Sequence, residues 1–485
     1  MGHVPASDKA APAAGGAGPK ASGSSLAGWL ARHLPRWIPD PFVFALALTL
    51  LVGGLAIGLT GSGFDDAIGH WYRGFWMLLE FGMQMVLLLA TGYAIALSPA
   101  AGGLIDRLGR LARTPAAVYA LVLVAGALFG LVSWGWAVLT AVLARELARR
   151  TPGVDYAYLV ACVYLSSGSW VAGLSSSIPL LMGTEGNFLI ESGVIDRTVP
   201  TSATLGTWMN AGYVALYLLP LPLLMWWLRP ATAAAKTFDD LRDAGEDASC
   251  SVQEEAERSR LGVACASDRL NHGFWLQGVV AAAAIWVVAR HFATNGFALD
   301  LNIMIFLFLA LGMLVHRTPM RFVVAMKRAC SNISGIVFQY PFYAGIMGLM
   351  MFSGLGALVS EWLVGQATIR TLPLVAQFSG ALVNFAIPSA GGEWAVIGPS
   401  LTQAALELGS GLPEAERQRG ARDQRLAAAY GETSTNLLQP FFLLVILPVM
   451  GAGVSIQARD VMGFLVLPFL LIYAVTAVLV TFAPM

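Results

Sequence analysis

The sequence predicts an all-α polytopic membrane protein. Of its 485 residues, 57% are hydrophobic and only 12% are charged, whereas about a quarter of a typical soluble protein is charged. The formal net charge is zero, which removes any global electrostatic argument for binding nucleic acid. The four cysteines lie far apart in the sequence, so neither a disulfide framework nor a CxxC metal pair is predicted.

Nine apolar runs have the length of a membrane-spanning helix, which is about 20 residues. They cover 42–61, 75–97, 156–183, 203–228, 274–293, 300–316, 331–352, 426–450 and 462–483. Two further apolar segments, 117–145 and 372–405, are interrupted in the middle by small and polar residues. Irregular backbone at membrane depth is tolerated only where it is buried in protein or lines a cavity. These two segments are therefore predicted to be re-entrant hairpins.

The loop charges predict a cytoplasmic amino terminus. Basic residues concentrate in the loops on that side of the nine crossings, which is the positive-inside pattern. The loop 407–425 mixes both charges and is assigned to the outside. The predicted organisation is a disordered cytoplasmic amino terminus over 1–36, a first transmembrane repeat over 37–228, a cytoplasmic linker over 229–273, a connecting transmembrane helix over 274–299 and a second transmembrane repeat over 300–485.

The repeats are inferred from residues that recur in the same order in the two halves. Gln84 and Ser98 have the same spacing as Gln339 and Ser353. In a second register Tyr164 stands opposite Tyr430, and Ser166–Trp170 stands opposite Glu432–Asn436. Five predicted crossings precede the second repeat, so it starts on the opposite side of the membrane. This predicts inverted repeats, an arrangement typical of secondary transporters.

The stretch Leu426–Gly451 is apolar enough to span a membrane but carries Glu432, four further polar residues in succession, and Pro440. A carboxylate in hydrocarbon is costly unless it is paired, protonated or in contact with water, and proline removes a helical hydrogen bond. We interpret the stretch as a broken helix, unwound over Glu432–Asn436, that lines a site. The alternative is that Glu432 lies near the membrane surface and its polar neighbours bond to adjacent helices.

Five ordered motifs from Trp37 to the carboxyl end resemble the bacterial short-chain fatty acid transporter family. They are Trp37–Phe42, Phe75–Trp76 with Phe81–Met85, Gln339–Ile346, Asn384–Ser389 with Gly391–Gly392, and Tyr430–Glu432 with Asn436 and Gln439–Phe441. The resemblance implies uptake of short monocarboxylates such as butyrate or acetoacetate across the bacterial inner membrane. It also implies a fold similar to the ion transporter superfamily, an elevator-type movement and a homodimer. Glu80 and Glu393 depart from the family pattern, which puts substrate choice and ion coupling in question.

A site for a short fatty acid needs hydrogen-bond donors for the carboxylate and an apolar pocket for the tail. Two hairpin tips and two broken helices can supply backbone donors, because a half-helix amino terminus carries partial positive charge. The candidate substrate-binding residues are Ser133, Trp134, Gly135, Trp136, Ser166, Ser167, Gly168, Ser169, Asn384, Pro388, Ser389, Gly391, Gly392, Glu393, Thr433, Ser434, Thr435 and Asn436.

Other residues have two open interpretations each. Trp134, Trp136, Trp170 and Trp394 could surround the tail or simply pack the hairpins against their neighbours. Gln84 and Gln339 could close the site or hydrogen-bond between helices. Glu432 is the predicted coupling residue, holding a proton or a Na⁺ ion, and no cofactor is predicted.

The sequence disfavours an enzyme and an ATP-driven pump, because it contains no HExxH, GxSxG or GxxxxGK[ST] motif. An anion channel stays open as an alternative, since broken helices also build selectivity filters. A carrier of another small organic anion, such as a dicarboxylate, stays open as well. The expected partners are the small monocarboxylate and membrane lipid.

Overall fold

In the computed structural model, the described residues are 41–482, with gaps at 78, 111, 133, 184–187, 192–194, 233–234, 243–250, 262–264, 297–300, 332, 366, 389 and 411–413. The predicted disordered segment 1–36 lies outside the described residues. The described part of the chain is helical, and its only β-type pairing is an isolated bridge between Arg242 and Val454.

The helices of the first half run in the order Pro41–Thr60, Phe64–Phe75, Leu79–Ala96, Pro99–Gly109, Pro115–Val132, Ala137–Arg150, Tyr156–Ser167, Ser177–Met182, Phe188–Glu191, Thr201–Leu205, Trp208–Leu218 and Pro220–Leu228. Between the halves lie Val252–Arg258, Ala266–His272 and Trp275–Asn295. Those of the second half are Leu301–His316, Pro319–Cys330, Ser334–Phe352, Leu355–Val364, Leu372–Val383, Ala390–Leu408, Glu414–Asn436, Leu443–Met450, Ala458–Met462 and Val466–Phe482.

Five helical segments of the described chain are long and apolar enough to cross a membrane: Phe42–Thr60, Pro115–Val132, Tyr156–Met182, Trp208–Leu228 and Ala266–Asn295. Shorter apolar helices occupy other predicted spans, among them Asn302–His316, Val337–Phe352 and Val466–Phe482. The chain therefore has the helices of a membrane protein. Pro115–Val132 alone could span the membrane, so the re-entrant course of the first hairpin and the count of nine crossings stay predictions.

Three segments treated as loops in the sequence are helical instead. The outer loop near 64–73 is the helix Phe64–Phe75, and the basic loop 317–328 is the helix Pro319–Cys330. Both are amphipathic helices with charged residues on one side, which a search for apolar runs cannot detect. The predicted outer loop 407–425 is also wrong in part, because the helix Glu414–Asn436 begins well inside it.

The linker between the halves is folded against the rest of the protein. The backbone N–H of Tyr156 donates to the carbonyl of Lys236, and the N–H of Ser455 donates to the carbonyl of Leu241. Phe238 lies beneath the guanidinium of Arg145 and against the ring of Tyr156. Farther along, Arg328 pairs with Glu255 of the helix Val252–Arg258. The linker thus contacts helices of both halves.

The closest helix crossing in the core joins Leu372–Val383 to Glu414–Asn436. A Cβ atom on Gly431 would collide with the carbonyl oxygen of Gln377, and one on Gly380 would collide with that of Ala428. Small residues at such positions let two backbones approach closely, which is how membrane helices associate without a hydrophobic driving force between them. The second hairpin and the polar stretch that follows it are therefore held together by direct backbone contact.

Replacing Gly431 by alanine should destabilise the protein, because the obstructing atom is a backbone oxygen that cannot move aside. We expect a loss of about 1–3 kcal/mol, the usual cost of an overpacked core, seen as a lower melting temperature in detergent. Gly58→Ala is the matched control, since a Cβ at Gly58 meets nothing within 4 Å. Equal melting temperatures for both variants would contradict the close crossing.

Candidate functional site

The polar run Glu432–Asn436 forms the last turn of the helix Glu414–Asn436, so the predicted unwinding over these residues is wrong. The irregular backbone lies just beyond, at 437–442, before the helix Leu443–Met450. Proline has no N–H, and its ring crowds the carbonyl four residues earlier. For Pro440 that carbonyl belongs to Asn436, which explains why the helix ends there.

The first interrupted helix has a similar course. Tyr156–Ser167 is α-helical, Gly168–Ala172 is a 3₁₀ turn, and a short helix follows at Ser177–Met182. Ser166 and Ser167 are therefore helical rather than unwound, and the break begins at Gly168. A Cβ at Gly168 would meet the Tyr217 hydroxyl and the Thr433 side chain, so glycine allows the two interrupted helices to touch.

The two hairpins turn near the predicted positions. In the first hairpin, Trp134–Trp136 is a 3₁₀ turn that includes Gly135, between helices ending at Val132 and starting at Ala137. In the second, the turn covers 384–388, from Asn384 to Pro388. Gly391, Gly392 and Glu393 already belong to the helix Ala390–Leu408, so the predicted break is too long at its carboxyl end. Ser133 and Ser389 lie outside the described residues.

Asn384 connects the second hairpin to the second interrupted helix. Its Nδ2 donates to the carbonyl of Glu432 at 3.0 Å, to Thr435 Oγ1 at 2.9 Å and to Asn436 Oδ1 at 2.7 Å. Gln439 Nε2 in turn donates to Asn436 Oδ1 at 2.9 Å and to the carbonyl of Asn384 at 3.3 Å. This network fixes the hairpin turn against the break at 437–442.

The break of the second half is stabilised by a side chain of the first half. The Tyr164 hydroxyl donates to the Asn436 carbonyl at 2.6 Å. Pro440 cannot donate to this carbonyl, which accepts its other bond from the backbone N–H of Gln439 at 3.2 Å. Trp134 of the first hairpin packs edge-on against Phe442, with ring centroids 6.0 Å apart. A carbonyl oxygen has two lone pairs, so the hydroxyl of the first half supplies a second hydrogen bond at the break.

A side chain of the second half likewise stabilises the break of the first half. Tyr430 stacks on Tyr213 with centroids 4.2 Å apart, and its hydroxyl donates to Asn210 Oδ1 at 3.0 Å. Asn210 then donates to the carbonyl of Ala172, the last residue of the 3₁₀ turn Gly168–Ala172. Breaks from both halves therefore meet at one polar centre. The described candidates that these contacts bring together are Trp134, Gly168, Asn384, Thr433, Thr435 and Asn436.

Two carboxyl groups are fully buried at this centre. Glu432 is 0% exposed; its Oε1 accepts from Asn436 Nδ2 and its Oε2 from Thr433 Oγ1, each at 3.2 Å. Glu393 is also 0% exposed, and neither of its oxygens has a hydrogen-bond partner among the described residues.

The remaining candidates have simpler surroundings. Gln84 donates to Asn302 Oδ1 on the helix Leu301–His316, so it bonds between helices. The Gln339 side chain is buried and its Oε1 has no partner in the described part of the chain. Trp394 is fully buried against Gly398 of its own helix. Trp136 packs edge-on against Phe129 of the same hairpin. For the two tryptophans, packing within their own segment is what the geometry shows.

Sequence reasoning gave no role to three residues that build the centre. Tyr164 and Tyr430 were matched between the repeats only as a sequence correspondence, and Asn210 carried no signal at all. Arg425 was placed in an outer loop, yet its side chain is only 5% exposed. The helical period of Glu414–Asn436 places Arg425 seven residues, or two turns, before Glu432. This spacing was the sequence signal that could have placed Arg425 on the same helix face as Glu432.

Comparison with known proteins identifies the family of the chain. Residues 24–483 match the family described as Short chain fatty acid transporter. The chain belongs to this family. The transporter is 35% identical over 439 residues to an Escherichia coli (strain K12) protein named for short-chain fatty acid transport, covering 90% of this chain and 94% of that protein. It is 34% identical over 453 residues to a Haemophilus influenzae protein of the same name, covering 91% and 95%.

Solved structures similar to the transporter include YdaH from Alcanivorax borkumensis and MtrF from Neisseria gonorrhoeae. The first has a TM-score of 0.44 and 17% identity, covering 91% of this chain and 98% of that one. The second has a TM-score of 0.40 and 17% identity, covering 93% and 97%. The family places the chain among transporters rather than enzymes.

Replacing Tyr164 by phenylalanine should remove the hydrogen bond that the first half donates to the Asn436 carbonyl, which would keep the N–H of Gln439 as its donor. One neutral hydrogen bond contributes about 0.5–1.5 kcal/mol, so we expect a modest fall in melting temperature and a two- to tenfold fall in transport rate. Tyr158→Phe is the matched control: it lies on the same helix, is fully buried, and donates to the Met225 carbonyl away from the centre. It should lower stability without slowing transport per folded molecule. Equal effects on transport would contradict a role for Tyr164 in the site.

Proposed function

We propose that the transporter is a secondary active carrier that takes up short monocarboxylates such as butyrate or acetoacetate across the bacterial inner membrane, with its amino terminus inside. The observation that carries this proposal is the convergence of two interrupted helices and a hairpin turn on the helical turn that contains the buried Glu432. An ionised carboxylate there would need a compensating cation. A site that binds a cation and an anionic substrate together can couple their movements.

Reciprocal packing supports inverted repeats in this carrier. Pro41–Thr60 packs on Ser334–Phe352, and the corresponding helices, Leu301–His316 and Leu79–Ala96, also pack on each other. Likewise Phe64–Phe75 contacts Ser334–Phe352, while its counterpart Pro319–Cys330 contacts Leu79–Ala96. In each case a helix of the first half contacts a helix of the second half, and the counterparts of these two helices contact each other as well. An approximate two-fold relation between the halves is the simple explanation.

The substrate carboxylate would be held by backbone N–H groups and hydroxyls at the centre. Gly391 and Gly392 in the first turn of Ala390–Leu408 leave its amino terminus accessible to a ligand, since a Cβ at Gly391 would meet nothing within 4 Å. Helix amino termini favour anions. Trp134 and Phe442 are apolar surfaces beside the breaks against which a short tail can pack. Assembly as a homodimer is part of the same proposal.

The direct test is uptake of labelled butyrate by proteoliposomes in which a proton gradient and a sodium gradient are imposed one at a time. A carrier gives saturable uptake that one gradient drives above the external concentration. A channel gives uptake that does not saturate and that only follows the electrochemical gradient of the anion. Uptake of a dicarboxylate but not of butyrate would reassign the substrate.

Replacing Glu432 by glutamine should abolish gradient-driven accumulation but leave exchange of internal for external butyrate largely intact. The amide keeps the size and hydrogen bonding of a carboxyl group but cannot release a proton or neutralise a cation. Counterflow of labelled against unlabelled butyrate measures the exchange. Unchanged accumulation, with the same pH and sodium dependence as the unaltered protein, would make Glu432 a structural residue.

An elevator-type movement would carry the hairpins and the interrupted helices past a scaffold that includes Pro41–Thr60 and Leu301–His316. Leu79–Ala96 packs on Leu301–His316, so we assign it to that scaffold and test the movement by a cross-link from it to the first hairpin. A Cβ on Gly92 would lie 3.5 Å from that of Val138, which suits a disulfide. In a background without native cysteines, oxidation of the pair Gly92→Cys and Val138→Cys should stop transport but preserve butyrate binding, and reduction should restore transport. The control pair Gly82→Cys and Tyr340→Cys, 3.9 Å apart, joins two scaffold helices. Full transport by the oxidised first pair would exclude relative movement there.

A further inference from the structure

Glu393 has the environment of a titrating group rather than of a structural one. Its carboxyl oxygen Oε1 would lie 3.0 Å from a Cβ at Gly380, beside the backbone of Leu372–Val383 where that helix meets Ala428. Ala428 is one turn before Glu432 on the same helix, so the two buried carboxyl groups lie in neighbouring parts of the core. Neither Glu393 oxygen accepts a hydrogen bond from a described residue.

Two ionised carboxylates cannot remain together in this interior. Burying one unpaired charge already costs more than most folds can offset, and a second like charge adds repulsion. Arg425 is buried on the same helix as Glu432, but it makes no hydrogen bond to either oxygen of Glu393. Among the described side chains, the other titratable groups on helices packed against Ala390–Leu408 are Tyr340, Tyr343, Glu361 and Tyr430. None of these four is a cation that could neutralise the pair.

We propose that Glu393 and Glu432 form a pair that carries two protons with each monocarboxylate, one on each side chain. This deepens the proposed function and depends on it. Two protons enter from outside with one anion and are released inside, so each cycle moves one net positive charge inward. The outward-open and inward-open states would expose the pair to water, where both groups can ionise.

The stoichiometry has a physical reason. The undissociated form of a short fatty acid crosses a lipid bilayer unaided, so a carrier of one proton and one anion reaches the same equilibrium as simple diffusion of the acid. A second proton adds a net charge, and the membrane potential then contributes. At about 100 mV, inside negative, one charge is worth about 2.3 kcal/mol, which corresponds to roughly 50-fold accumulation.

The test uses proteoliposomes of the full chain with equal pH on both sides, no sodium, and a potassium diffusion potential of about 100 mV, inside negative. Diffusion of the acid gives no accumulation under these conditions. The unaltered protein should concentrate labelled butyrate well above the external level. Glu393→Gln should lose this response, yet still show counterflow exchange faster than that of protein-free liposomes, which also reports that it is folded.

Glu407→Gln is the matched control, because Glu407 lies on the same helix but is exposed and hydrogen-bonded to Gln403. It should keep the full response to the potential. The proposal is overturned if the membrane potential does not drive butyrate accumulation by the unaltered protein, or if this accumulation requires sodium. It is also overturned if Glu393→Gln still accumulates butyrate in response to the potential. Failure of the proposed function is a different result: no carrier-dependent butyrate uptake under any gradient.

Discussion

The structure depends on one constraint, which is that polar groups in the membrane must find partners within the protein. Pro440 ends a helix in the middle of the fold and cannot donate to the Asn436 carbonyl, which accepts instead from the N–H of Gln439 at 3.2 Å and from Tyr164 of the other half at 2.6 Å. A carbonyl left unsatisfied in hydrocarbon would cost several kcal/mol. Each half therefore helps to stabilise the break of the other.

This dependence explains why the helices at the polar centre pack so closely. Gly431 and Gly380 bring two backbones into contact, and the side-chain amide of Asn384 donates to three oxygens of the facing helix. At one end of the molecule, Tyr156 donates to the carbonyl of Met450, so the interrupted helices are joined there too. A rigid centre of this kind suits movement as a unit, which is what an elevator mechanism requires.

Much of this architecture was accessible from the sequence. Long apolar runs identified the membrane helices, and the small and polar residues within 117–145 and 372–405 located both hairpin turns. The position of the breaks was less accessible. Glu432–Asn436 is polar enough to suggest unwinding, but its side chains bond to their own helix and to Asn384, so the helix continues until Pro440 stops it. Amphipathic helices such as Pro319–Cys330 were missed because their charges conceal them among loops.

Partners across the two halves could not be predicted, because they depend on three-dimensional packing and not on spacing. The sequence pairs Tyr164 with Tyr430 but does not reveal that each bonds a residue of the opposite half. The burial of Glu393 was equally hidden, since a carboxyl that follows two glycines is more often at a surface.

The central claim is that the buried carboxyl groups hold protons when the substrate is bound. Infrared difference spectroscopy on the reconstituted protein tests it most directly, by comparing spectra before and after butyrate is added. The structure predicts a change in the absorption of protonated carboxyl groups, part of which disappears in Glu432→Gln. A spectrum in which only ionised carboxylate bands change, identical in the variant, would contradict the account.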